Sequence, residues 1–294
     1  MRQKLGAILL LGFFFLVSLA TAVEARKVQV AVATFSQSVL PFVVAQEKGY
    51  YREEDLDVEL ILMTASVANM ALLGGNVDFI SSGSSAMGAI IRGAPLKFVF
   101  TCFNRPMHWL FSRPEIRDVK GLKGKKIGVS AIGGSAHFLV LEILKRYGLD
   151  VPREVTVFAD ARRLEQMLTN LVEPAGAIVI RESLLQSDPG LMEKFIRGTL
   201  KGLLHIRQNR SGTIPILARL MKIQEEVAGK IYDLVLPGLT ADGAVNQELQ
   251  KKVLEFVLKV QGIKELAATE RVFDFAPVRR IRADLETKKW KPAP

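Results

Sequence analysis

One local order recurs along this chain and restricts its fold more than any other feature: a short apolar strand, a turn of small polar residues, then an apolar helix closed by glycine. Lys27–Val32 alternates as a strand does, and Thr34, Ser36, Gln37 and Ser38 follow it. The helix Pro41–Glu47 comes next, with proline near its start and Lys48-Gly49 at its end. Asp57–Leu62 repeats the strand, Thr64-Ala65-Ser66 the turn, and Val67–Leu73 the helix, closed by Gly74-Gly75. A third unit follows in Val77–Ile80, Ser81–Ser85 and Ala86–Arg92, and Leu96–Phe103 is a fourth strand. Such βα units predict an α/β fold with mixed, mainly parallel sheets. The polar turns all fall at carboxyl ends of strands, where open α/β sheets bind ligands and helix N-termini offer free N–H groups.

A second set begins after the extended stretch Pro106–Pro114. Lys120–Gly124 is a basic turn, Lys125–Val129 a strand, and Ser130–Ser135 a glycine-rich turn before a helix over Ala136–Tyr147. Val155–Phe158 is a further strand, Asp160 is placed to cap a helix Ala161–Leu171, and Ala177–Ile180 is a strand after Pro174. From Pro189 the pattern is helical, over Gly190–Arg207, Ile214–Met221, Gln224–Leu236 and Gln247–Val260. The basic segment beyond Thr287 reads as a loose tail.

The start of the chain has a different character. Arg2 and Lys4 precede an uncharged stretch, Leu5–Val23, and small residues stand at Ala20, Ala22 and Ala25. This is the order of a secretory signal over residues 1–25; an uncleaved anchor is the alternative, since the uncharged run approaches spanning length. The expectation is a cleaved leader and a soluble periplasmic protein. No cysteine near the junction offers a lipid attachment point. Export also fits Cys102, the single cysteine, which reads as a small core residue in the apolar run Phe98–Phe103.

Charge excludes more than it assigns. Forty Lys and Arg against 30 Asp and Glu give +10, and removal of residues 1–25 leaves +9 on 269 residues. The basic residues are interleaved with acids and lack aromatic spacing, so they form a solvated face and not a nucleic-acid platform. Three His without paired Cys or an HExxH spacing provide no metal site. Gly128–Gly134 is neither a dinucleotide fingerprint nor a P-loop, and no G-x-S-x-G elbow occurs. The sequence therefore predicts no cofactor, and no catalytic residue is assigned.

Several blocks together resemble a known family. Pro41-Phe42-Val43-Val44-Ala45-Gln46-Glu47-Lys48-Gly49-Tyr50-Tyr51 with Asp57-Val58-Glu59-Leu60 is similar to the opening of the nitrate/sulfonate/taurine-type periplasmic solute-binding proteins, a group that shares its fold with the thiamine-pyrimidine (NMT1/THI5-like) proteins. Gly75–Phe79, Gly93–Lys97, Leu122–Val129 and Gly133-Gly134-Ser135 extend the likeness. The resemblance implies a two-lobe, type II periplasmic binding-protein fold, a small-molecule ligand between the lobes, an ABC permease as partner, and no enzymatic activity. Its layout is a first lobe over 26–107, a second over 108–176, a return strand and C-terminal helices over 177–286, and a tail over 287–294. One departure stands out: the run from Val172 to the return strand omits a strand, a ligand loop, a helix and a further strand that the family carries. Either the second lobe is a shortened one that still closes on a small ligand, or the chain is a vestigial copy. A thiamine-pyrimidine protein and a ligand sensor are the other readings, and the lone Cys102 argues against the cysteine-rich synthases.

By position, the ligand residues of the first lobe are Ser36, Ser38, Ala65, Ser66, Ser82, Gly83 and Ser84. The second lobe contributes Ser130, Gly133, Gly134, Ser135 and His137. Trp109, beside His108 on the first crossover, is a candidate to stack on a flat ligand. Hydroxyls and N–H groups at helix N-termini suit a small oxyanion such as a sulfonate, taurine or nitrate without a buried countercharge. His205 reads as a helix-surface residue, and the protein as a monomer.

Overall fold

The computed structural model describes residues 24–104, 110, 112–129, 135–151, 154–159, 175–263 and 268–292. Its first sheet is built from β1 (Arg26–Val32), β2 (Leu56–Leu62), β3 (Phe79–Ser82) and β4 (Leu96–Phe103), with α1 (Leu40–Glu47), α2 (Ala65–Leu73) and α3 (Ser84–Ile91) between them. A second sheet pairs β5 (Lys126–Val129) with β6 (Thr156–Ala159) around α4 (Ser135–Arg146). The chain then returns as β7 (Ala175–Arg181). It continues through α5 (Glu182–Ser187), α6 (Pro189–Gln208), α7 (Arg210–Met221), α8 (Glu225–Val235), α9 (Gln247–Gln261), α10 (Thr269–Val272) and α11 (Ala276–Thr287).

The strand order of the first sheet is β2-β1-β3-β7-β4. β1 runs parallel to β2 from Arg26↔Leu56 to Val32↔Leu62, and parallel to β3 at Val30↔Phe79. β7 enters antiparallel between β3 and β4, at Ile80↔Val179 and Phe98↔Val179. The carboxyl ends of β1, β2, β3 and β4 therefore share one edge of the sheet with the start of β7. Because β4 leaves and β7 returns at that edge, the second sheet hangs from it. The open side of β4 is closed by loops: Thr101 N–H donates to Gly243 O at 2.8 Å, Thr240 N–H to Cys102 O at 2.9 Å and Asp274 N–H to Phe98 O at 2.8 Å.

The core sits between this sheet and α6. Phe195 stacks on Phe79 at 4.1 Å between ring centroids, on Tyr51 at 5.4 Å and on Phe42 at 6.2 Å. Close approach of α6 to α1 depends on Gly202, where a Cβ would lie 2.2 Å from the Pro41 carbonyl oxygen. Tyr51 donates or accepts with Thr199 Oγ1 at 2.8 Å, and burial pushes its phenol up. Lys201, almost wholly buried, binds Glu53 at 2.8 Å and Glu54 at 2.9 Å. Asp188, Asn209 and Asn246 cap α6, α7 and α9 through side-chain oxygens, as their residue types favour.

Two expectations are corrected here. His205 is not a surface residue but fully buried, its Nδ1 2.9 Å from the Tyr50 hydroxyl, because α6 is covered by α1, α7 and α11 at once. Nor is the tail wholly loose: Trp290 packs edge-on against Tyr50 at 5.5 Å between centroids. No helix among the described residues is long and apolar enough to cross a membrane, and residues 1–23 of the expected leader lie outside the described residues.

Candidate functional site

The first sheet brings its three polar turns to one edge, as the strand-turn-helix order predicts. After β1, Ser36 caps a short 3₁₀ turn over Gln37–Val39, its Oγ accepting from Ser38 N–H. The two hydroxyls of Ser36 and Ser38 lie 3.0 Å apart, both half-buried. After β2, α2 starts earlier than the sequence suggests, so Ala65 and Ser66 form its first turn with Thr64 before them. Ser66 is exposed and Ala65 half-buried. After β3 the turn is shorter than expected: Ser82 closes the strand, Gly83 alone links, and Ser84 opens α3.

Neither α2 nor α3 has a side-chain cap at its N-terminus. Their first-turn N–H groups are left for water or a ligand. Residues 33–39, 63–66 and 81–85 contain no Lys, Arg, Asp or Glu. The edge therefore offers hydroxyls and backbone N–H groups without a formal charge. Apolar side chains flank it, with Phe35, Leu62, Val67 and Met70 all exposed, Met70 at 71%. Such an edge can hold an oxyanion by directed hydrogen bonds, or the polar rim of a small ring by the same groups.

Sequence reasoning missed two residues of this edge. Asn69, on α2, donates from Nδ2 to Ser85 Oγ at 3.0 Å and so ties α2 to the first turn of α3. Its Oδ1 is buried and has no hydrogen-bond partner among the described residues. The available signal was a polar residue inside the apolar run Val67–Leu73. Gly176 on β7 lies against the Ser38 carbonyl, a contact that local sequence does not announce.

The second sheet places α4 after β5, so Ser135 opens a helix at a strand's carboxyl end and His137 stands in its first turn. His137 is half-buried, and desolvation holds its imidazole below the ordinary value. Trp109, Ser130, Gly133 and Gly134, with His108 and the expected helix Ala161–Leu171, lie outside the described residues. α4 covers its own small cluster through Val140, Ile143 and Leu144, against Ile127, Val129 and Val155.

Comparison with known proteins now applies to these parts. The profile of the NMT1/THI5-like family matches residues 36–176. A 4-amino-5-hydroxymethyl-2-methylpyrimidine phosphate synthase of Saccharomyces cerevisiae, THI11, is 30% identical over 115 residues, 37% of this chain and 33% of the yeast protein. The riboflavin-binding protein RibY of Chloroflexus aurantiacus is 25% identical over 203 residues, 55% of this chain and 57% of its own. The chain thus spans about a third of the yeast synthase and somewhat over half of RibY. Among solved structures, a Bordetella bronchiseptica protein superposes with a TM-score of 0.70 at 18% identity, covering 90% of this chain and 99% of that one. The nitrate-binding protein NrtA of Synechocystis gives 0.65 at 13% identity, with 90% of each chain covered. The alkanesulfonate-binding protein SsuA of Xanthomonas axonopodis, bound to MOPS, gives 0.64 at 17% identity, covering 87% and 100%. Residues 36–176 thus form an NMT1/THI5-like segment in a chain with the periplasmic binding-protein fold.

Proposed function

We propose that this chain is the extracytoplasmic solute-binding component of an ABC importer, a monomer that takes a small solute at the carboxyl edge of its first sheet and presents it to a membrane permease. The observation that carries this reading is the convergence of three uncharged, hydroxyl-bearing turns on the edge through which the chain crosses to its second sheet. A receptor needs its ligand groups beside the crossovers, so that movement of one lobe against the other encloses the solute. Ser36, Ser38, Ala65, Ser66, Ser82, Gly83 and Ser84 supply the first half of the site. Ser130, Gly133, Gly134, Ser135 and His137, with Trp109, supply the second. The lobes extend over 26–107 and 108–176, and β7 and the C-terminal helices return to the first, with β7 starting at Ala175.

The solute is a small oxyanion, a sulfonate, taurine or nitrate, bound by hydroxyls and N–H dipoles. A second reading has its own support: the same turns carry no cation, and the match to pyrimidine-phosphate synthases favours a neutral pyrimidine in a protein without synthase chemistry. Purified protein is titrated by calorimetry with taurine, ethanesulfonate, nitrate and 4-amino-5-hydroxymethyl-2-methylpyrimidine. Heat with a sulfonate or nitrate supports the first reading and heat with the pyrimidine the second. Silence with all four, together with no thermal stabilisation, defeats both and favours a vestigial chain.

A further inference from the structure

The last strand of the first sheet enters through a glycine that touches the ligand edge. Gly176, second in β7, has φ of +60°, a left-handed backbone that side chains strain. A Cβ there would lie 2.4 Å from the Ser38 carbonyl oxygen and 3.1 Å from Cys102 Cβ. The nearer atom belongs to the backbone, so it cannot swing aside as the end of a side chain can. Gly176 cannot retreat either, because the flanking residues are locked in the ladder at Ala175↔Phe103, Thr101↔Ala177 and Ser82↔Ala177. The turn itself must move. Ser38 is also the residue whose hydroxyl lies 3.0 Å from that of Ser36.

Other glycines show that this is more than backbone freedom. Gly49 at φ +77° and Gly93 at φ +98° are equally left-handed, yet a Cβ on either would meet nothing within 4 Å. Gly176 is needed both for its conformation and for the space it leaves.

We infer that Gly176 is a positioning residue of the binding edge: the return strand seats the Ser36–Ser38 turn through it, so that displacing one displaces the other. Through this contact, movement at the second crossover reaches the ligand hydroxyls directly. Its importance for binding rests on the reading of that edge as a ligand site, whereas the mechanical coupling does not.

The test separates the two. Cys102 is fully buried and burial pushes its thiol up, so in a Ser36→Cys protein the accessible thiol reports on the turn. Its rate with dithionitrobenzoate is measured alone, with Gly176→Ala, and with Gly49→Ala as a control that shares the left-handed alanine but not the clash. The expected result is a rate change of about tenfold or more with Gly176→Ala and little change with Gly49→Ala. Equal rates in the two glycine variants overturn the inference. Should Gly176→Ala fail to fold, native-state hydrogen exchange of the unaltered protein decides. One shared opening equilibrium for the amides of Val39 and Ile178 upholds the coupling, and two independent ones overturn it. Calorimetry of Gly176→Ala with the four solutes, without the Ser36→Cys change, completes the test. Binding shown by the unaltered protein and lost in Gly176→Ala upholds the positioning role at the site, whereas a coupled turn in an unaltered protein that binds none of the four upholds the coupling and overturns only the ligand reading.

Discussion

Both sheets set a parallel ladder against helices, but they are held by very different amounts of packing. The first has five strands, loops over its β4 side, and a core that runs from Val28 to Leu285 around the stacked ring of Phe195. The second has, among the described residues, two strands and a cluster of eight buried apolar side chains, three of them on α4. Two strands alone are marginal in water, so the second unit owes its order to helix packing and to its tether to the first. In the receptor proposed above, one half of the site would sit on the heavily packed first unit as on a rigid body, and the other on the lighter second unit.

The comparison breaks first at Phe195. Phe195→Ala removes the ring that Phe79, Tyr51 and Phe42 share, and a loss of about 3–5 kcal/mol is expected from the main denaturant transition. A loss below about 1 kcal/mol would mean that the first unit is not the rigid body described. Leu144→Ala is the matching change in the second unit, where Leu144 is fully buried. About 3 kcal/mol is expected from the opening energy of the amides in β5 and α4, with β1 amides unmoved. If β1 amides lose protection equally, the two units unfold as one and the comparison fails.

A pH effect sharpens it next. Burial, with Lys48 nearby, holds His205 down at about 4 against 6.5 in the unfolded chain. The native state keeps it neutral while the unfolded state takes up a proton, so stability is full above pH 6.5 and falls as pH drops towards 4. Between pH 6.5 and 5 the loss should reach about 2 kcal/mol in the main transition, and His205→Gln should flatten that slope. An unchanged slope in the variant assigns the acid sensitivity to other groups.

Much of this architecture was legible because its signals are local. The alternation of Lys27–Val32 and the glycines after each helix identify the βα units, and carboxyl-end turns follow from their order. What stayed hidden depends on contacts distant in sequence. Nothing near Ala177–Ile180 announces that it inserts antiparallel between β3 and β4. His205 reads as a surface residue from its own helix alone, and only the packing of α1, α7 and α11 over α6, far away in sequence, buries it. The starts of α2 and α3 fell two residues early because Ala and Ser in a first turn need no cap of their own type. Asn69 and Gly176 join the site through space alone.

The smallest expected effect tests the lighter unit at its surface. Lys123 and Glu154 pair at 2.6 Å, joining the turn before β5 to the residues before β6, and this pairing holds the Glu154 carboxyl below its ordinary range. Both groups are solvated, and exposed ion pairs of this kind contribute little. The same two segments are also joined by backbone bonds, Gly124 N–H to Glu154 O at 2.6 Å and Thr156 N–H to Lys125 O at 3.1 Å. Lys123→Ala should therefore leave the main transition in place and barely alter exchange in β5 and β6, with any loss largest at low salt. A clear drop in β5 and β6 protection that persists in high salt would show that the second unit is so thinly packed that one surface pair helps decide its order.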